Sequence, residues 1–124
     1  MQKILIPTDF SDNAWNAIDY AMQLFRDRNC TFYLLNTYTP VIPSGRFMAK
    51  MVNGVRVVDA VRKASEEGLL KTVDRIKSKY RNSNHRFETI SSFNLLTEEV
   101  KDVVDSFDIQ LIITGTKGAS GVEE

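Results

Sequence analysis

Short apolar segments alternate along the chain with longer segments in which apolar residues recur at helical spacing. The short segments are typical of strands buried in a sheet, and the longer ones are typical of helices that bury one face. Strands are predicted at residues 4–6, 31–38, 86–91 and 109–114, and helical stripes at residues 14–25, 58–80 and 96–107. This β-α-β-α-β-α-β alternation predicts a three-layer α/β fold, in which a parallel sheet with right-handed crossovers carries helices on both faces.

The polarity of the strands predicts their order in the sheet. The segments at residues 4–6 and 111–113 are wholly apolar, which is typical of central strands covered on both faces. The strand at residues 86–91 is mixed in polarity and suits a sheet edge. Placing the first and fourth strands centrally gives the order 3-2-1-4. The topological switch point, where ligands bind in such sheets, then falls between the first and fourth strands.

Local signals predict where helices begin and where the chain is irregular. Ser11 is the predicted N-cap of the first helix, and Asn94 or Thr97 is that of the third. Residues 39–56 contain two prolines and two glycines and are predicted to form a long connection. Gly68 interrupts the second helix at a cost of roughly 1 kcal/mol relative to alanine.

Composition and charge narrow the class of protein. The 124 residues, 43% of them hydrophobic, are expected to form a single domain over residues 1–124 with a core that needs no disulfides. The 16 basic and 16 acidic residues cancel, so neither nucleic acid nor a membrane surface is favoured as a partner. The first apolar run is too short for a signal peptide or a membrane span, so a cytoplasmic location is expected. The lone Cys30 is expected to be a buried thiol.

Two loops that follow the predicted central strands carry the candidate chemistry. Residues 7–11 include Asp9, whose carboxylate can accept a hydrogen bond from a ligand amine or a ribose hydroxyl. Residues 115–118 include Gly115 and Gly118, which let backbone amides approach an anion without obstruction by side chains. Because the carboxyl ends of neighbouring parallel strands meet in one crevice, the two loops together predict a nucleotide site.

Each of these residues also has a purely structural interpretation. Asp9 could tighten the turn before Ser11 or favour the positive end of the following helix. Lys117 could neutralise phosphate or be a solvated surface cation, and Ser120 could bind phosphate or cap a helix. The position of the two loops on either side of the switch point favours the functional interpretation.

Several better-known sites are excluded by the residues that are present. The loop after the first strand has no GxGxxG motif and the chain has no GxxxxGK[ST] motif, so neither an NAD-type site nor a P-loop is expected. The single histidine, His85, and the single cysteine cannot make a zinc site, and no nucleophile has a base beside it. No metal site and no catalytic residue is expected, so binding is favoured over catalysis.

At these residues the chain resembles a universal stress protein domain. Residues 3–11 are similar to the family's opening strand and loop, residues 34–38 to its second strand, and residues 108–121 to its fourth strand and glycine-rich loop. The resemblance covers the whole chain. It implies a Rossmann-like, adenine nucleotide alpha hydrolase-like fold and a stress-response regulatory module that binds ATP or AMP, with at most slow ATP hydrolysis.

The resemblance also implies which residues contact the nucleotide. Adenine contacts are implied near Asp9 and the backbone of Thr37, and phosphate and ribose contacts at Gly115 and Gly118. The remaining implied binding residues lie in or beside the same two loops and are Pro7, Thr8, Lys117 and Ser120.

The chain departs from the family's pattern at its C-terminal end. The third glycine of the phosphate motif, the last helix and the last strand would lie beyond Glu124. We therefore expect a domain that lacks its final strand, binds nucleotide more weakly, and exposes an apolar edge on the fourth strand. That edge, or an exchange of elements between chains, predicts a homo-oligomer such as a dimer.

Two other functions of the same topology stay open. One is a scaffold or interaction domain that binds no nucleotide, which would suit Asn36 and Thr37, where the family more often has histidine and valine. The other is a phosphoacceptor receiver domain, in which Asp9 would belong to the acidic cluster. Residues 90–92, at the end of the third strand, include no aspartate that could be phosphorylated, which argues against a receiver.

Overall fold

The structure of the protein is a computed structural model that describes residues 1–38 and 51–115. Strands and helices alternate as the sequence predicts. In chain order the elements are β1 Gln2–Pro7, α1 Asp12–Leu24, β2 Cys30–Tyr38, α2 Met51–Lys79, β3 His85–Phe93, α3 Leu96–Phe107 and β4 Leu111–Ile112. None of the helices in the described ranges combines the length and the hydropathy that a membrane span requires.

The four strands form one parallel sheet in the order β3-β2-β1-β4, which confirms the predicted order. β4 is shorter than the predicted strand at 109–114. Hydrogen bonds from Gln110 N to Lys3 O (2.9 Å) and from Ile113 N to Leu5 O (3.0 Å) nevertheless extend its contact with β1. The chain builds outward from β1 to β3 and then returns to the other side of β1, so the switch point lies between β1 and β4.

Helices cover both faces of the sheet because successive side chains of a strand point to opposite faces. The core between the sheet and helices α1 and α2 contains Ile4, Ile6, Ile18, Phe32, Leu34 and Leu69. The core between the sheet and helix α3 contains Leu5, Tyr33, Leu35 and Val103. The sheet is therefore the middle of the three layers that the sequence predicts.

The second helix begins earlier than the sequence predicts. Residues 51–56 were predicted to be part of the long connection, but they belong to α2. Residues 39–50, the rest of that predicted connection, lie outside the described part of the chain. Extending an existing helix adds a hydrogen bond for each residue, and only nucleation is costly. A helix of 29 residues can therefore include Gly54 in its first turns.

The third helix lacks the cap that the sequence predicts. Leu95 occupies the N-cap position of α3, and no side chain caps the helix there. Asn94 instead accepts a hydrogen bond from Leu95 N (2.8 Å) and donates one to Glu99 Oε1 (3.1 Å), one residue too early to cap the first turn. Ser11 does cap α1 as predicted, because its Oγ accepts a hydrogen bond from Ala14 N at 3.2 Å.

The lone histidine and cysteine lie at the amino-terminal edge of the sheet, away from the carboxyl ends of the strands. Cys30 is fully buried, as predicted, and burial raises the pKa of its thiol. His85, its register partner on β3, is also buried, and its Nε2 lies 2.8 Å from the carbonyl oxygen of Phe25. Because a carbonyl can only accept, His85 donates from Nε2 and links the start of β3 to the end of α1.

Candidate functional site

A cleft of about 340 Å³ opens at the carboxyl edge of the sheet, between the ends of β1, β2 and β4. Its walls are the loop after β1, the first turn of α1, the last residues of β2, the residues after β4 and Leu96 at the start of α3. Ligands of α/β proteins bind at this place, outside the carboxyl ends of strands at a switch point. The fold therefore creates a concave site where the two candidate loops meet.

The structure brings together the predicted site residues that it describes. Pro7, Thr8, Asp9, Thr37 and Gly115 all line the cleft. Asp9 and Gly115, which lie at opposite ends of the chain, therefore face one cavity. The other three predicted residues lie outside the described ranges and are Lys117, Gly118 and Ser120. What any of these residues does toward a ligand stays a prediction.

The loop after β1 is held in place by its own polar groups. Thr8 is buried, and its amide donates to Leu35 O on β2 at 2.8 Å. Its hydroxyl oxygen accepts a hydrogen bond from Phe10 N at 3.0 Å, and Asp9 Oδ1 accepts one from Ser11 N at 2.9 Å. Asp9 thus tightens the turn, as its structural interpretation requires, and the residue also lines the cleft.

Asn36 is a cleft residue that the sequence analysis did not assign to the site. It is buried near the end of β2, and its Nδ2 donates to Thr8 O at 2.8 Å. This hydrogen bond ties the end of β2 to the end of β1, directly beneath the loop that carries Asp9. The signal that could have found it is a polar amide that follows the apolar run of β2, because a buried amide requires a partner.

Gly115 is required by close packing against α1. A Cβ atom added to Gly115 would lie 2.4 Å from Asn13 O, 2.8 Å from Asn13 C and 3.3 Å from Ala14 N. The residue that follows β4 is therefore in direct contact with the backbone of the first helical turn. Glycine is needed here because any side chain would separate two walls of the cleft.

The charges in the described part of the cleft favour an uncharged ligand group over an anion. Asp9 and Asp12 line the cleft, and among its described lining residues there is no lysine or arginine. The amides at the start of α1 contribute partial positive charge, but Asp12 in the first turn offsets it. This region suits a base or a sugar better than a polyphosphate. The described residues also include no cluster of three or more histidine, cysteine or acidic side chains that could hold a metal ion.

A parallel sheet of order 3-2-1-4, helices on both faces and a cleft at the switch point define a Rossmann-like α/β protein. The chain belongs to the universal stress protein family, whose family model matches residues 1–124. This match confirms the family that the opening strand and the glycine-rich loop indicate. No curated protein sequence matches the chain.

Solved structures of universal stress proteins share this fold at low sequence identity. One from Burkholderia pseudomallei has 18% identity and a TM-score of 0.70, over 97% of this chain and 85% of that chain. UspA from Lactobacillus plantarum has 18% identity and a TM-score of 0.56, over 98% of this chain and 83% of that chain. A universal stress protein in complex with cAMP has 17% identity and a TM-score of 0.60, over 90% of this chain and 69% of that chain. At these identities the likeness shows the fold alone.

Proposed function

We propose that this chain is a cytoplasmic stress-response module that binds an adenine nucleotide, ATP or AMP, in the cleft between β1, β2 and β4. The observation that carries the proposal is that Asp9 and Gly115, on two separate loops, line the same cleft at the switch point. Membership of the universal stress protein family supports the stress-response role. The structural neighbour in complex with cAMP supports the class of ligand.

In this proposal the two sides of the cleft bind different parts of the nucleotide. Asp9 accepts a hydrogen bond from the adenine amine or a ribose hydroxyl, and the backbone of Thr37 contacts the base. Pro7 and Thr8 form the wall on the same side. Gly115 lies on the phosphate side, together with Gly118, Lys117 and Ser120. The lack of cations among the described lining residues agrees with this division, because the base and sugar need none.

An Asp9→Asn variant is expected to weaken the binding of AMP and ATP roughly tenfold, since a charged acceptor forms a stronger hydrogen bond than an amide. Asparagine retains an oxygen that can accept from Ser11 N, which lies 2.9 Å from Oδ1 of Asp9. The turn is therefore expected to survive. The measurement is the rise in Tm with ligand concentration, since a ligand that binds only the native state stabilises it by about 2.7 kcal/mol at a concentration 100 times its Kd.

Asp59→Asn on α2 is the matched control, because Asp59 is 57% exposed and forms an ion pair with its helical neighbour Arg62 at 3.0 Å. This variant is expected to respond to nucleotide as the native chain does. If neither AMP nor ATP raises the Tm of the native chain at millimolar concentration, the scaffold interpretation replaces nucleotide binding. If Asp9→Asn binds as tightly as the native chain, the role proposed for Asp9 is wrong.

We also propose that the chain forms a homo-oligomer, a dimer in the simplest case, through the free side of β4. Within the described ranges β4 pairs only with β1, and Leu111 and Ile112 are 37% and 42% exposed.

Ile112→Lys is expected to lower the sedimentation mass of the native chain toward that of a monomer, because a lysine on an edge strand opposes pairing. Leu70→Lys, at a 60% exposed site on α2, is the control. A native mass equal to that of a monomer at all concentrations would contradict the proposal.

A further inference from the structure

The loop that carries Asp9 rests on the middle of helix α2. Phe10 has a φ of +68°, in the left-handed region that residues other than glycine rarely adopt. Its ring lies against Gly68, where an added Cβ would be 2.6 Å from Cζ, 2.8 Å from Cε2 and 2.9 Å from Cε1. The tip of the ring therefore occupies the place that a side chain at position 68 would take.

Gly68 has no backbone reason to be glycine. Among the described residues no glycine has a positive φ, and Gly68 lies inside the regular helix Met51–Lys79. Glycine is the least favourable residue in a helix interior after proline, so alanine would normally be preferred at this position. The ring of Phe10, a residue that is 42% exposed, lies where that alanine side chain would be, so an alanine at position 68 would displace the ring.

The contact between Phe10 and Gly68 joins the loop to helix α2. Hydrogen bonds to β2, through Leu35 and Asn36, and hydrogen bonds within the loop also hold it. Phe10 lies between Asp9 and the cap residue Ser11, so a contact of its ring with α2 acts on the segment that carries Asp9. An unfavourable backbone conformation persists where surrounding contacts hold it, and such residues occur often at ligand sites.

We propose that Gly68 is a positioning residue for the cleft: it admits the ring of Phe10 against α2, and the ring holds Asp9 in the orientation that binds ligand. This inference rests on the proposed function, in which the cleft binds an adenine nucleotide. It assigns a role in binding to a residue of α2 that does not line the cleft. It also makes helix α2 a support of the site.

The test is a cycle of Gly68→Ala, Phe10→Ala and the double variant, with Glu67→Ala as the exposed control on the same helix. In the native background the new methyl group must displace the tip of the ring, so Gly68→Ala is expected to raise the urea midpoint less than the helix preference alone would. In the Phe10→Ala background the same change is expected to raise the midpoint by the full helix preference. The affinity for AMP, measured by calorimetry where all variants are folded, is expected to fall three- to tenfold for Gly68→Ala and to be unchanged for Glu67→Ala.

A readout without ligand separates this inference from the proposed function. Backbone amide shifts of Asp9, Phe10 and Ser11 in the ligand-free protein are expected to move in Gly68→Ala and to stay in Glu67→Ala. The positioning role is overturned if these amide shifts are unchanged in both variants. It is also overturned if the amide shifts change in Gly68→Ala while its AMP affinity stays native. If they move but the native chain binds neither AMP nor ATP, the proposed function fails and the support of the loop by Gly68 stands. If Gly68→Ala does not fold, Phe10→Leu provides the same readouts, because it leaves helix α2 unchanged and replaces the ring with a smaller side chain.

Discussion

Replacing Gly115 by alanine is expected to lower both the stability of the protein and its affinity for AMP or ATP. The new Cβ would lie 2.4 Å from Asn13 O and 2.8 Å from Asn13 C. Both are backbone atoms of the first helical turn, which cannot rotate away as a flexible side chain can. The loop after β4 or the start of α1 must therefore shift, and overpacking of this kind costs about 1–3 kcal/mol in the free energy of unfolding.

The same shift is expected to weaken nucleotide binding about tenfold or more, equivalent to roughly 1.4 kcal/mol, because Gly115 and the first turn of α1 are two walls of one cleft. Urea unfolding measures the first effect and calorimetric titration with AMP measures the second. Ser106→Ala is the control: Ser106 is an exposed residue of α3 that does not line the cleft, and its replacement removes an atom instead of adding one. A native urea midpoint and a native AMP affinity in Gly115→Ala would show that the loop has room to move.

The parts of the fold that could be predicted are those that follow from local pattern. The apolar segments at residues 4–6 and 111–113 placed the first and fourth strands side by side, and the mixed polarity of residues 86–91 indicates an edge strand. These observations were enough to predict the order of the sheet. The cap at Ser11 needs only a hydroxyl before a helix. The length of β4 was overestimated because an apolar run indicates where a strand can form and not how far it pairs, and the residues paired with β1 are Leu111 and Ile112.

The parts of the site that could not be predicted are contacts between remote segments. In the sequence Gly68 is only an unfavourable helix residue, and its reason becomes visible only when the ring of Phe10 is placed against it. The hydrogen bond of Asn36 likewise joins remote segments, since it crosses from β2 to Thr8 in the loop after β1. The position of Asp9 and Gly115 in one cleft was predictable because it depends on topology alone, whereas these supporting contacts depend on side-chain packing.

Phe32→Ala is expected to cause the largest loss of stability, about 3–5 kcal/mol, because truncating a buried phenylalanine removes apolar contacts and leaves a cavity. Phe32 is fully buried in the first half of β2. Its ring centroid lies 4.9 Å from that of His85, 5.7 Å from that of Phe87 and 6.5 Å from that of Phe25. Domains of this kind are stable by about 5–15 kcal/mol, so the loss would be a large fraction of the total.

This variant also separates the scaffold from the site. Phe32 does not line the cleft, so the fraction of Phe32→Ala that is folded is expected to bind AMP with native affinity, in contrast to Gly115→Ala. Phe93→Ala is the matched control, because Phe93 is 55% exposed at the end of β3, where truncation leaves no cavity. It is expected to cost at most about 1 kcal/mol. Equal urea midpoints for the two variants would contradict the burial of Phe32. A reduced AMP affinity of folded Phe32→Ala would mean that the core face of β2 helps to shape the cleft.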